Sequence, residues 1–300
     1  MSGLSRTVAV VTTAVLAALT VGLTAQVPAN RPRITGIDHI VVRVSDTAAA
    51  TGFYQDVLGL VETTGFADRT ASAGRLRFHV GPRQSILVDP DLPAGEDERL
   101  RLLAFATPDL DQLAAHFAAK GIAVTRGSGA PASIRVTDPD GHPLAFIQRS
   151  FPPDSGEAAG RAHGPQPLST RILHAGLTVR DEAAANRFYK DILGFGEIWR
   201  GGRSEGTTDW INMRVPDGTD YLEYMLVSSP PDRRQRGVLH HVALLVPDIQ
   251  GAWEAAGART PAEKRAALGP PNVGRNGRWQ LNLYDGDGTR TELMEPFTVR

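Results

Sequence analysis

Four side chains in the second half of the chain have types and spacing that could hold a metal ion: His174, Glu223, His241 and Glu292. His174 lies near the start of the alternating run RILHAGLTVRD (Arg171–Asp181), and His241 near the start of VLHHVALLVPD (Val238–Asp248). Each histidine precedes by seven residues an aspartate (Asp181 or Asp248) suited to cap a helix. Glu223 falls in DYLEYML and Glu292 in TRTELMEP, both strand-like. Two imidazoles and two carboxylates suit Ni, Co, Mn, Fe or Zn and do not suit a soft-metal site. Side chains alternate along a strand. His174 therefore shares a face with Gly176 and Thr178, His241 with Ala243 and Leu245, Glu223 with Tyr221 and Met225, and Glu292 with Arg290 and Met294. The small residues Gly176 and Ala243 would leave room beside the histidines for an ion and a bound substrate. His240, next to His241, points to the opposite face.

The elements that must position these residues read as a repeat. Gly36–Val44 alternates as a strand, Asp46 can cap a helix over Thr47–Leu58, and Gly59 sits where a helix stops. A second strand-helix unit begins at Leu100, and the turn Asp138–Gly141 precedes a closing strand at Leu144–Gln148. The second half repeats the plan: FYQDVLG (Phe53–Gly59) recurs as FYKDILG (Phe188–Gly194), a shift of 135 residues that also carries His39 onto His174. Such self-similarity sets the domain count at two. The modules span residues 34–150 and 171–297. Between them, residues 151–170 are rich in Pro, Gly and Ser with no apolar period and read as a linker. Arg278–Tyr284 and Thr289–Met294 read as strands joined by the turn Asp285–Gly288, while Gly257–Arg278 reads as a long cationic loop.

Composition limits the function classes. The chain has 300 residues, room for two cored domains, and 32 Lys+Arg against 33 Asp+Glu, a balance that argues against nucleic acid as a partner. It has no cysteine, which excludes disulfides, a thiol nucleophile and thiolate metal ligands. Arg6 followed by the uncharged run Val8–Leu23 and then Thr24-Ala25-Gln26 has a signal-peptide layout. The expectation is a signal peptide over residues 1–25 and export to the periplasm or exterior, with no membrane contact after cleavage. A retained membrane anchor is the alternative.

With its H-x6-D strand starts, two FYxDxLG helices and DPDG or DGDG turn before the last strand, the chain resembles the vicinal oxygen chelate (VOC) superfamily. That superfamily takes in glyoxalase I, bleomycin-resistance proteins and extradiol dioxygenases. The resemblance covers both modules. It implies an α+β fold of two tandem VOC modules, each of paired βαβββ units forming a cup-shaped mixed β-sheet, with one divalent metal ion inside the cup. His174, Glu223, His241 and Glu292 match the family's metal positions. A strand histidine or glutamate taken alone is more often hydrogen-bonded or solvated, but four in register favour a site. In the first module only His39 is present; Leu87, Leu102 and Ala145 stand at the other positions, so that module is structural or substrate-shaping.

The resemblance implies proton transfer of the glyoxalase I type on a small substrate with vicinal oxygens, Glu292 serving as base and Glu223 as the other candidate. The alternative is an extradiol-type Fe(II) ring-cleaving dioxygenase using His174, His241 and Glu292, for which Tyr224 and Tyr284 are the nearby phenols. A second alternative is a non-catalytic small-molecule binding or resistance protein. The cations of Gly257–Arg278 would draw an anionic substrate over the site if the segment were a lid; otherwise it is a solvated loop. The sequence is compatible with a monomer or a homodimer.

Overall fold

The computed structural model describes residues 31–63, 74–128, 131–149 and 166–299. The expected signal peptide and most of the expected linker lie outside these residues. Among the described residues, no helix is long and apolar enough to cross a membrane.

The first module contributes strands β1 (Gly36–Arg43), β2 (Val61–Thr63), β3 (Leu76–His79), β4 (Ser85–Asp89), β5 (Leu100–Thr107), β6 (Thr125–Arg126), β7 (Ser133–Thr137) and β8 (Pro143–Gln148). The second contributes β9 (Ile172–Val179), β10 (Gly196–Gly201), β11 (Trp210–Arg214), β12 (Tyr221–Leu226), β13 (His241–Leu245), β14 (Asn272–Val273), β15 (Arg278–Tyr284) and β16 (Arg290–Thr298). Among the described residues each set forms one mixed sheet, in the orders β2-β3-β4-β1-β5-β8-β7-β6 and β10-β11-β12-β9-β13-β16-β15-β14. The two orders are the same path taken twice, as the internal repeat requires.

Helix α1 (Thr47–Thr51) is capped by Asp46, whose carboxylate accepts from the amides of Ala48 and Ala49. It does not run on as a regular α-helix to Leu58. From Gly52 to Val57 it widens into a π-turn, with the Leu58 amide bonded to the Phe53 carbonyl at 3.0 Å, an i to i−5 step. The same happens after α3 (Glu182–Ala185): Asn186–Ile192 is π, and the Leu193 amide bonds to the Phe188 carbonyl at 3.1 Å. Between these lies α2 (Leu110–Ala119), and after them α4 (Arg233–Leu239), α5 (Ile249–Arg259) and the short α6 (Ala262–Arg265). The expected loop at Gly257–Arg278 is thus structured in part. Some of its arginines hold backbone: Arg259 reaches the carbonyls of Val57 (3.2 Å) and Gln166 (2.9 Å), and Arg275 that of Gly202 (3.0 Å).

The π-turns aim two tyrosines across the boundary between modules. Tyr54 Oη donates to Asp285 Oδ2 at 3.2 Å, and Tyr189 Oη donates to Asp138 Oδ2 at 2.9 Å. Each aspartate opens a DxDG turn, its other oxygen accepting two amides of that turn, Asp140 and His142 in one and Asp287 and Thr289 in the other. Ser45 and Arg180, at matching places after β1 and β9, bind Asp287 and Asp140 respectively. Each module therefore grips the closing turn of the other. One apolar core runs through both, with Phe105 of the first packed edge-on against Phe195 of the second at 5.5 Å between ring centres.

The two turns differ in charge compensation. Burial raises the Asp138 carboxyl, but the hydrogen bond and charge of His142 outweigh this and hold it below its ordinary value. Asp285 has Thr289 where Asp138 has His142, and burial followed by the nearby Asp287 charge pushes it up to about 6. A carboxyl raised in the folded state stabilises the fold below its unfolded pKa, and that contribution is lost as pH rises through about 6. At roughly 1.4 kcal/mol per pKa unit, the charged form costs the fold about 2–3 kcal/mol. Asp285→Asn keeps an acceptor for the two amides and removes the charge. Urea unfolding is expected to show the parent losing about 1.4 kcal/mol relative to this variant between pH 5 and pH 8, for the roughly one pKa unit that lies in this window; equal differences at both pH values would refute it.

Candidate metal centre

The four strands at the middle of the second sheet, β12, β9, β13 and β16, each bring one of the four side chains. Registers place them in two adjacent rows. Glu223 pairs with Gly176 and Gly176 with His241 in one row; His174 pairs with Ala243 and Ala243 with Glu292 in the other. All four lie on one face and converge, with one ligand atom from each within 4.8 Å of the rest. His174 Nε2 and His241 Nε2 are 3.0 Å apart. Glu292 Oε2 lies 3.4 Å and 3.5 Å from them, and Glu223 Oε2 lies 3.8 Å and 3.4 Å away. Both imidazoles are fully buried, with side-chain exposure of 3% for Glu292 and 12% for Glu223.

The donor set fits a divalent cation. Two imidazole lone pairs and two carboxylates facing one point repel one another unless a positive charge sits among them. Protons on the histidines can serve in part: burial raises the Glu292 carboxyl, but hydrogen bonds from His174 and His241 and the Arg290 charge hold it well below its ordinary value. Glu223 is lowered for the same kind of reason, its His241 hydrogen bond and the His174 charge outweighing burial. Burial, the largest influence on His174, keeps that imidazole below its ordinary value. A neutral imidazole with its Nε2 lone pair turned to the centre is what a metal requires.

Gly176 has a sharper role than leaving room for substrate. A Cβ there would stand 2.1 Å from His241 Nδ1 and Cε1 and 2.7 Å from the Leu239 carbonyl oxygen. The His241 ring lies across β9 only because residue 176 has no side chain, and its Nδ1 then reaches the Leu239 carbonyl at 3.0 Å. Gly176→Ala is expected to displace this ring and weaken metal binding about 10–100-fold, as loss of support for a ligand does. A calorimetric metal titration of the folded variant would read this, and unchanged affinity would reject it.

The structure adds neighbours to which the sequence assigned no role. Tyr221 stacks on His174 with ring centres 4.6 Å apart. Arg290, at the matching place two residues before Glu292, has Nη2 at 2.8 Å and 2.9 Å from the two ring nitrogens of His241. Equal distances put the guanidinium against the ring, not in line with one lone pair. Asn212 pairs in register with Glu223, and Asn282 with Glu292. The buried Asn212 Oδ1 has no hydrogen-bond partner among the described residues. Alternation had put Tyr221 and Arg290 on the right face; the two asparagines could have been found by aligning the halves of the second module.

Of the phenols considered from sequence, Tyr224 is buried with its hydroxyl 3.4 Å from the Ala185 carbonyl, and Tyr284 is about half exposed. Neither belongs to the cluster; Tyr221 is the phenol beside it. His240 is a further correction: it does not turn to the opposite face but bonds to Thr178, which shares the His174 face of β9, and to Glu98. In the first module, registers put His39, Leu87, Leu102 and Ala145 at the places of His174, Glu223, His241 and Glu292. His39 Nδ1 pairs with Asp38 Oδ1 at 2.6 Å instead.

A model of the Glyoxalase/Bleomycin resistance protein/Dioxygenase superfamily matches residues 36–146 and again residues 171–293. The chain belongs to this superfamily. Solved structures of this fold superpose along about nine-tenths of the chain. The 2,3-dioxygenase LapB from Pseudomonas sp. KL28 matches with a TM-score of 0.67 at 18% identity, over 91% of this chain and 96% of its own. A variant of homoprotocatechuate 2,3-dioxygenase from Brevibacterium fuscum gives 0.65 at 21%, covering 91% of this chain and 74% of its own. The enzyme of that name from Arthrobacter globiformis gives 0.64 at 19%, over 90% and 82%. Among curated proteins, the uncharacterized protein YwbC of Bacillus subtilis is 28% identical over 89 residues, which are 30% of this chain and 71% of YwbC. Likeness at these identities establishes a shared fold, and reaction has changed often on one fold.

Proposed function

We propose that this VOC protein is a divalent-metal-dependent enzyme of the glyoxalase I-like lyase or isomerase type, acting on a small substrate with vicinal oxygens. The observation that carries this reading is the fourth side chain. Glu223 turns into the cluster, its Oε2 within 3.4 Å of His241 Nε2, so two carboxylates and two imidazoles are available to one ion. When bound, the ion would supply a Lewis acid that accepts neighbouring substrate oxygens and offsets negative charge on them. Glu292, ionised and shielded from water, is the base that takes a proton from the adjacent carbon and returns it to the next; Glu223, less buried, is the other candidate. Tyr221 and Ala243 hold His174 from its two sides, and Gly176 leaves the His241 ring its place. Arg290 adds positive charge beside the cluster, which suits an anionic substrate.

A second reading is an extradiol-type Fe(II) dioxygenase. What favours it is the superposition on structures of 2,3-dioxygenases along nine-tenths of the chain. His174, His241 and Glu292 would be its two-histidine, one-carboxylate set. A non-catalytic binding protein would be expected to lack ligands, as the first module does and the second does not.

Glu223→Ala separates the two enzyme readings. In the lyase or isomerase reading it weakens metal retention about 10–100-fold, by analogy with lost ligand support, and depresses turnover strongly. In the dioxygenase reading the variant keeps its iron. The experiment is metal analysis of parent and variant as purified, followed by oxygen uptake with catechols under air. Oxygen consumption by the parent together with iron retained by the variant would replace the first reading with the second. We also propose export, on the Arg6 plus Val8–Leu23 layout. N-terminal sequencing from the native host is expected to begin near Gln26, and soluble cytoplasmic material starting at Met1 would reject it.

A further inference from the structure

A buried chain of polar groups crosses from the first module to the corner that carries His241. His240, between α4 and β13, has Nδ1 2.7 Å from Glu98 Oε1 and Nε2 2.9 Å from Thr178 Oγ1. Thr178 lies on β9, four residues beyond His174 and on the same face. Its Oγ1 also meets His142 Nε2 at 3.3 Å, and His142 Nδ1 meets Asp138 Oδ2 at 2.8 Å. Glu98, Asp138 and His142 come from the first module; Thr178 and His240 from the second. Glu98 is fixed in turn by Arg236 (2.6 Å) and the Leu100 amide (3.0 Å).

Counting hydrogens shows that this chain has a direction. Each carboxylate takes the Nδ1–H of its histidine, which leaves both Nε2 atoms facing one threonine hydroxyl. That hydroxyl has a single hydrogen and can donate to one of them. The chain is complete only if the other Nε2 carries its own proton and donates to Oγ1. His142 is placed for this, with Asp138, Glu98 and Asp140 about it, whereas Arg236 lies beside His240. Burial lowers the His142 imidazole, but the Asp138 hydrogen bond and charge outweigh burial and raise it above its ordinary value. His142 then donates to Thr178, Thr178 to His240, and His240 to Glu98. A cavity of about 360 Å³ is lined by His142, Thr178 and Glu98 of this chain and by Asp140 beside it.

We propose that the first module, which keeps only His39 of the four ligand positions, positions the metal ligands of the second through Asp138–His142–Thr178–His240–Glu98. The two strands tied by Thr178 and His240 are those that carry His174 and His241. The inference rests on the reading of the four-residue cluster as a metal site. These are positioning residues, since none reaches the cluster itself. A merely structural interface would contribute to stability without affecting how an ion is held.

The test is Co(II) titration of parent, Thr178→Val and Thr178→Ser, read by calorimetry and by the visible absorption of the bound ion. Thr178→Val keeps the shape and breaks the chain; it is expected to weaken Co(II) binding about 10-fold or more and to change the absorption bands. Thr178→Ser is expected to restore both. If Thr178→Val does not fold, Glu98→Gln, which disrupts the far end, takes its place with the same expectation. A folded Thr178→Val with the parent's affinity and spectrum, altered only in melting temperature, would overturn the proposal. A parent chain that binds no Co(II) would instead overturn the metal reading on which it stands.

Discussion

Alanine at both His174 and His241 is expected to leave the chain folded and without metal. The two imidazoles supply the only nitrogen donors among the four converging side chains. Loss of support for one ligand costs about 10–100-fold in affinity; removing two ligands outright should exceed the square of the lower figure, so purified protein should carry none. The remaining carboxylates, Glu223 and Glu292, lose the hydrogen bonds and charge that hold them below their ordinary pKa. Burial then outweighs what remains, with only the Arg290 charge still opposing it at Glu292, so both carboxyls rise and the double variant should also become less stable with rising pH. Elemental analysis after dialysis reads the first effect and urea unfolding across pH the second. Retention of one ion per chain would place the metal elsewhere.

Glu292→Gln tests chemistry more than binding. Glutamine keeps the size of the side chain and one oxygen that can meet an ion, but it cannot take a proton. Loss of general base catalysis costs about 10²–10⁴-fold in rate, against the smaller loss of affinity expected from exchanging a charged ligand for a neutral one. The expected result is a folded variant that still binds metal when the ion is in excess, with turnover reduced by at least two orders of magnitude. Turnover would be followed on whichever probe the parent accepts, an α-oxo aldehyde–thiol adduct or a catechol. If Glu292→Gln keeps most of its rate while Glu223→Gln loses it, the base is Glu223.

Much of this centre was legible because β-strands write their faces into the sequence with a period of two. Alternation alone put His174 with Gly176 and Thr178, and Glu292 with Arg290. The family resemblance then located the three first-module positions where ligands are missing. What alternation does not carry is register between strands far apart in the chain. The pairing of Gly176 with His241 joins residues 65 positions apart, so the reason for glycine there, clearance for an imidazole from another strand, is invisible locally. His240 was misplaced for a related reason. Alternation was extended one residue too far back, through a position where α4 ends and β13 has not begun. The π-turns were equally hidden. FYQDV and NRFYKDI have ordinary helical composition, and the widening shows only when Tyr54 and Tyr189 find aspartates in the opposite module.

The reciprocal grip of those tyrosines on the DxDG turns also bears on how the gene can change. In the first module, the cup positions Leu87, Leu102 and Ala145 answer only to packing, and a library of apolar substitutions there should be well tolerated. Tyr54, Asp138 and Phe105 are different, since each is a contact on which the other module depends. Descent from a duplicated ancestor would thus relax selection on the inside of one cup while tightening it on the seam. Sequence divergence among descendants should be uneven within a single module, fastest on the concave face and slowest at its edge with the partner.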